Sequence, residues 1–142
     1  MASNSSTIDI PSSVVVRIQK FRLTPSKAAI TALVFKIDRK TLTLEIEEEL
    51  TTGLTCVEDL IQELPENSPR FLIVNYKLNH RDGRVSYPLF LLYWAPQTSP
   101  LDLSTLYASA LSNFSVKSDV AKVIDVRDAE ISTSQLNQRL GA

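Results

Sequence analysis

Residues 64–100, LPENSPRFLIVNYKLNHRDGRVSYPLFLLYWAPQTSP, constrain the chain most, because they hold its longest apolar runs and its clearest turn. FLIVNYKL and VSYPLFLLYW are rich in β-branched, aromatic and leucine residues, and the polar NHRDGR with its Asp82-Gly83 pair separates them. That pattern predicts a β-hairpin with strands over 71–78 and 85–94. The runs are nearly continuous rather than alternating, which is the pattern of strands covered on both faces by helices.

The remaining segments supply those helices and two more strands. Ser12 or Ser13 is placed to cap a helix running to Phe21, with Val14, Ile18 and Phe21 on its inner face, and Pro25-Ser26 ends it. AAITALVFKID reads as a strand turning at Asp38-Arg39-Lys40, followed by TLTLEIE, where Leu42, Leu44 and Ile46 alternate with polar residues. The acidic run Glu47, Glu48, Glu49 reads as solvation at the end of that strand. Thr55 and Glu58 have capping-box spacing before Val57, Leu60, Ile61 and Leu64, with Cys56 at the first helical position and Pro65 as the stop.

After the hairpin, Ser99 is placed to cap a long helix starting near Leu101. Leu103, Leu106, Tyr107, Ala110 and Phe114 fall on its buried face, and Asp102, Ser104, Thr105, Ser109 and Ser112 on a small, lightly charged outer one. Leu111 stands apart from the stripe. VAKVIDVRD reads as a last strand, parallel to its predecessor because a helix joins them. Ser132 and Gln135 form a second capping box, before a terminal helix anchored by Leu136 and Leu140 and ended by Gly141. The sum is an α/β (α+β) domain: a central mixed five-stranded sheet, antiparallel through four strands, with helices on both faces.

The chain has 142 residues, enough for one domain over 10–142 behind a flexible tail at 1–9. Fifteen basic and sixteen acidic side chains give a formal charge of -1, which offers no global attraction to nucleic acid or an acidic membrane. A single cysteine excludes an internal disulfide and, with no apolar leader or membrane span, points to the cytoplasm. The sole histidine, His80, lies in the turn, and no phosphate-cradling glycine loop, metal-ligand cluster or nucleophile with a spaced base occurs. The expectation is a protein that is not an enzyme, uses no cofactor or metal and works as a monomer.

LPENSPRF and NYKLNHRDGRVSYPL, with KFRLTPSKAAITALVFKID, LYAS and AKVIDVRDAE…QRLG, resemble the glia maturation factor family, a branch of the actin-depolymerising factor/cofilin homology domains. The departures noted below suit a diverged fungal-type or other non-vertebrate member. The resemblance implies the actin-depolymerising-factor homology fold and an actin cytoskeleton regulator at cortical actin structures. Its implied partners are the actin-related protein 2/3 complex and actin at branch junctions, and its implied actions are debranching and suppression of branch nucleation.

Two partner surfaces follow from the resemblance. The long helix and amino-terminal region contribute Lys20, Arg22, Ser104, Thr105, Ala108, Ser109, Leu111 and Ser112, with Leu111 entering a groove on an actin-like subunit. The hairpin turn and terminal helix contribute His80, Arg81, Asp82, Arg84, Gln135, Gln138 and Arg139, directed at the first actin of the daughter filament. The chain departs from the family where a lysine commonly follows the Tyr-Ala motif, which here is Leu111, and at the helix start, where basic residues of cofilins become Asp102 and Ser104. The alternative is a cofilin-like protein that binds actin monomers or filaments and severs the latter. Amino-terminal Ser3, Ser5 and Ser6 are candidate phosphorylation sites.

Overall fold

A computed structural model describes residues 8–24, 28–120, 122–127 and 131–141. Two antiparallel strands, β1 (Ile30–Asp38) and β2 (Thr43–Leu50), open the sheet. The predicted hairpin follows as β3 (Arg70–Tyr76) and β6 (Leu89–Trp94), with β7 (Val123–Val126) completing the order β2-β1-β3-β6-β7. Only the β6–β7 pair is parallel, as a strand–helix–strand connection requires. The amino-terminal helix α1 (Ser12–Leu23) and the long helix α3 (Leu101–Ser118) pack on one face, and the short helices α2 (Val57–Gln62) and α4 (Thr133–Arg139) on the other.

The apolar runs are continuous because both faces of β3 and β6 are covered. Phe71, Ile73, Leu91 and Tyr93 point to the α1/α3 layer, while Leu72, Val74, Phe90, Leu92 and Trp94 point to the α2/α4 layer. Phe71 makes ring contacts with Tyr93, Tyr107 and Phe114 at centroid separations of 5.7, 5.3 and 5.2 Å. These contacts seat α3 on the sheet. The Ile37 N–H donates to the buried Tyr107 hydroxyl at 2.9 Å, so the same helix is also hydrogen-bonded to β1.

Several local expectations are corrected. The hairpin strands are not continuous to the turn: they stop at Tyr76 and resume at Leu89, and the tip forms a separate ribbon, β4 (Leu78–Asn79) and β5 (Val85–Ser86). The Tyr76 N–H still donates to Pro88 O at 3.2 Å, but Pro88 has no N–H to return to the ladder, and the next N–H, that of Lys77, faces β1 and donates to Ala29 O at 2.8 Å. Leu42 is not an inward strand residue; it closes the β1–β2 turn at φ +53° with its side chain exposed. The acidic run lies inside β2 rather than past its end, with Glu47 paired to Arg70 and Glu49 to Arg17.

Three of the four proposed caps also differ. Pro11 holds the N-cap of α1 and Pro100 that of α3, neither with a side-chain cap, so Ser12 and Ser13 are already helical and Ser99 does not cap. At α2 the N-cap is Cys56, and Thr55 bonds Asp59 while Glu58 reaches across to Thr133. The helix ends at Gln62, three residues before Pro65. Only the Ser132–Gln135 capping box forms as predicted. Ile8 is buried and Asp9 bridges to Thr43, so the packed chain begins before residue 10. Pro25, Ser26, Lys27 and the amino-terminal Ser3, Ser5 and Ser6 lie outside the described residues.

Replacing Tyr107 with Phe keeps the ring contacts but leaves the buried Ile37 N–H without its acceptor. The expected cost is about 1–3 kcal/mol, read as a lower urea midpoint with an unchanged slope.

Candidate functional site

On the first predicted surface, α3 turns Thr105, Ala108, Ser109 and Ser112 to solvent, with Ser104 half-buried beside them. Their spacing places them on one continuous stripe opposite Tyr107, Ala110 and Phe114. Leu111 does not project. It lies four residues after Tyr107 and three before Phe114, so it joins the inner face and packs, half-buried, against the α1/α3 core. The exposed apolar residues of the helix are instead at its ends, Leu101 and Val116. Asp102 is paired with Arg39 from the β1–β2 turn, and Lys117 is the one cation of α3.

Lys20 and Arg22 sit in the last turn of α1, which lies beside α3. Arg22 is already engaged: its guanidinium donates to the carbonyls of Ser118 and Asp119 at 2.9 and 2.7 Å, closing the carboxyl end of α3 where Asp119 takes the left-handed conformation. Lys20 is exposed and has no ion pair among the described residues.

On the second surface, the turn is held by its own hydrogen bonds. His80 N donates to Arg84 O, Gly83 N donates to His80 O, and Gly83 adopts φ +91°. The Arg84 backbone and guanidinium both donate to Asp82, and these bonds hold the Asp82 carboxyl below its ordinary range. The His80 ring lies 2.8 Å from the Ser86 hydroxyl. Arg81 is exposed, with no hydrogen bond or ion pair among the described residues.

Gln135, Gln138 and Arg139 face elsewhere. They line a hollow of about 190 Å³ with Asp125, Arg127 and Ile131, and no hydrogen bond or ion pair among the described residues joins them to the turn. Gln135 belongs to the capping box, and Arg139 donates to Asp125 O at 2.8 Å. Tyr76 donates to Asn137 at 2.7 Å, and Glu58 accepts from both the backbone and hydroxyl of Thr133.

Arg127 was not among the candidates, although it lines this hollow and a second one on the α3 side. Its weak signal was alternation: in VIDVR, positions 123, 125 and 127 share one side of a strand. Among the described residues no group of three or more His, Cys, Asp or Glu side chains could hold a metal ion. None of their helices is long and apolar enough to cross a membrane.

A family model described as cofilin/tropomyosin-type actin-binding protein matches residues 7–141. Glia maturation factor of Drosophila melanogaster is 31% identical over 133 residues, covering 94% of each chain. Glia maturation factor beta of Homo sapiens is 31% identical over 142 residues, covering 99% of this chain and 98% of that one. The chain belongs to the glia maturation factor family. The solution structure of glia maturation factor from Caenorhabditis elegans agrees, with a TM-score of 0.77 at 33% identity over 97% of this chain and 99% of that one. Streptomyces griseoflavus cofilin shares the fold at 15% identity, with a TM-score of 0.79 over 94% of this chain and 97% of that one. This member of an actin-binding family thus has the mixed sheet of the actin-depolymerising-factor domains.

The Thr133 contacts hold the Glu58 carboxyl below its ordinary range. A depressed carboxylate stabilises the fold fully above its unfolded value, about 4.3, and loses that contribution as pH falls through the lower folded value. Acidification through that window is expected to loosen α4, seen as lower amide protection factors at Leu136 and Gln138 once the intrinsic slowing of exchange in acid is divided out. Thr133→Val should flatten this pH dependence relative to the parent protein.

Proposed function

We propose that this glia maturation factor is a non-enzymatic regulator of branched actin. It binds the actin-related protein 2/3 complex, promotes debranching and inhibits branch nucleation, acting as a monomer at cortical actin in the cytoplasm. The observation that carries the reading is the outer stripe of α3, where Thr105, Ala108, Ser109 and Ser112 present small uncharged side chains and the sole acid of the first turn is tied to Arg39. Such a stripe suits close packing against an actin-like subunit, since ordering these side chains costs little. It lacks the basic residues that would attract a strongly acidic actin surface.

The long-helix stripe with Lys20 forms the first contact surface. Arg81 and the turn form the second, toward the first actin of the daughter filament. The two lie on different elements, so a single copy can touch both sides of a branch junction. Debranching needs no bond chemistry: contacts stronger with the separated complex than with the intact branch shift that equilibrium.

Branched filaments imaged with purified protein should lose branches, while unbranched filaments sedimented in parallel keep their length. Persistent branches at saturating protein, together with shortened unbranched filaments, would establish cofilin-like severing instead. Joint replacement of Arg81 and Arg84 by Ala should slow debranching about fivefold, as expected for loss of roughly 1 kcal/mol of contact. Circular dichroism should show the variant folded, because the hairpin strands do not depend on either side chain.

A further inference from the structure

The turn that closes the β4–β5 ribbon carries the one Asp-Gly step of the chain, and it uses both residues. Gly83 holds φ +91°, and its N–H donates to His80 O at 3.1 Å. A Cβ at 83 would meet nothing within 4 Å, so conformation and not crowding calls for glycine. Asp82 accepts the Arg84 N–H at 3.1 Å and the Arg84 Nε at 2.7 Å, which steers the chain into β5. The same pair is a chemical weak point. An aspartate carboxyl lies next to the backbone nitrogen that follows it, and a glycine offers that nitrogen without a side chain in the way. Solvent reaches the site, since the Asp82 and Arg84 side chains are 58% and 72% exposed. Two contacts oppose a reaction between them. The Gly83 N–H is committed to His80 O, and the Asp82 carboxyl, an electrophile only when protonated, is held ionised by Arg84.

We infer that Asp82 is a site of spontaneous isomerisation to β-aspartate, and that Arg84 is the residue that retards it. The Asp82 carboxylate first takes a proton from solvent. Gly83 N then attacks Asp82 Cγ: the N–Cγ bond forms, and the carboxyl hydroxyl leaves with the amide proton as water. The product is a five-membered succinimide. Water reopens the ring by breaking either bond to nitrogen. Cleavage at Cγ restores Asp82, whereas cleavage at the main-chain carbonyl carbon leaves the chain running through Cγ. The water released in closure is balanced by the water taken up in opening, and no oxidant, reductant or cofactor enters. In the β-linked form the turn gains a backbone methylene, and the carboxyl that Arg84 holds becomes part of the main chain. A ribbon of two residues per strand has no longer ladder in which to absorb that change. The new free carboxylate is the acceptor group of methyltransferases that repair β-aspartate with S-adenosylmethionine, so that enzyme class would recognise the aged turn. The chemistry is independent of the function proposed above, and adds to it that the second contact surface ages.

The test incubates the full chain in heavy-oxygen water at neutral pH. It locates β-aspartate by fragmentation mass spectrometry and by methyl transfer from S-adenosylmethionine with a purified isoaspartyl methyltransferase. β-Aspartate should accumulate at residue 82, each event carrying a heavy oxygen. Arg84→Ala, shown folded by circular dichroism, should accumulate it about threefold faster, as expected for loss of an exposed ion pair, with Arg84→Lys in between. Added salt should speed the parent and leave Arg84→Ala unchanged, which a purely structural role of Arg84 would not produce. The salt response of the parent alone tests Arg84 even if the variant proves unstable. Asp82→Glu keeps the negative charge but would have to close a six-membered ring, and it should abolish the signal. Absence of labelled β-aspartate at residue 82 from both the parent and Arg84→Ala, or a signal that survives in Asp82→Glu, would overturn the site. Equal rates in the parent and folded Arg84→Ala, or a parent rate indifferent to salt, would overturn the role of Arg84. A freshly prepared parent that fails to remove branches would overturn the proposed function and leave this chemistry untouched.

Discussion

The seating of α3 on the sheet is the interaction on which the rest of this structure depends. Phe71 sits at the centre, in contact with Tyr93 from the neighbouring strand and with Tyr107 and Phe114 from the helix, and Phe114 also meets Phe35 edge-on at 5.1 Å. Each such pair contributes about 0.5–1.5 kcal/mol beyond its buried area. The rings do more than hold the helix down. With Tyr107 bonded to β1, they fix its rotation, and the rotation decides which side chains form the outer stripe. A helix turned by one residue, carrying Leu111 to the position of Ser112, would place a leucine in the exposed stripe.

The cations of the chain divide by whether the fold already uses them. Arg17 is committed to Glu49, Arg22 to the end of α3, Arg70 to Glu47 and Arg139 to the outer edge of β7. Arg84 spends part of its guanidinium on Asp82 within the turn. A charge held in this way loses some of its value to a partner, because binding must break or share an existing contact. Arg127 likewise spends its Nε on Asp125, whereas Lys20 and Arg81, like Lys40, Lys117 and Lys122, are exposed without an ion pair among the described residues, and they lie at separate places on the molecule. A nearly neutral protein can therefore have directional binding surfaces without net charge.

Much of the fold was legible in the sequence because its signals were redundant. Continuous apolar runs, an Asp-Gly turn and a long helical stripe all agreed on a two-sided sheet, and both hairpins and the parallel last strand formed as predicted, while the pairing of β1 with β3 was left to the tertiary structure. Misplaced features were those where one residue decided between close alternatives. Proline took the N-cap positions expected of serine at α1 and α3. Leu42 broke its alternation by closing a turn at positive φ, and Pro88 interrupted a strand that composition alone would continue. The partner surfaces were less legible. Leu111 was separated from the core stripe on paper, but a helix face is wide enough to include it.

The sequence by itself determined the family, the strand and helix order and the near absence of charge on the long helix, since each is written in local composition or in motif stretches spread along the chain. Only the tertiary structure decided which charges are spent and which remain. Arg22 meets Ser118 and Asp119 across 96 and 97 positions, and Glu58 meets Thr133 across 75. No local pattern encodes such distances. Arg127 shows the same limit: it reads as the polar end of a short strand, and its place between the α3 stripe and the α4 hollow exists only because the crossover returns β7 to the sheet beside β6.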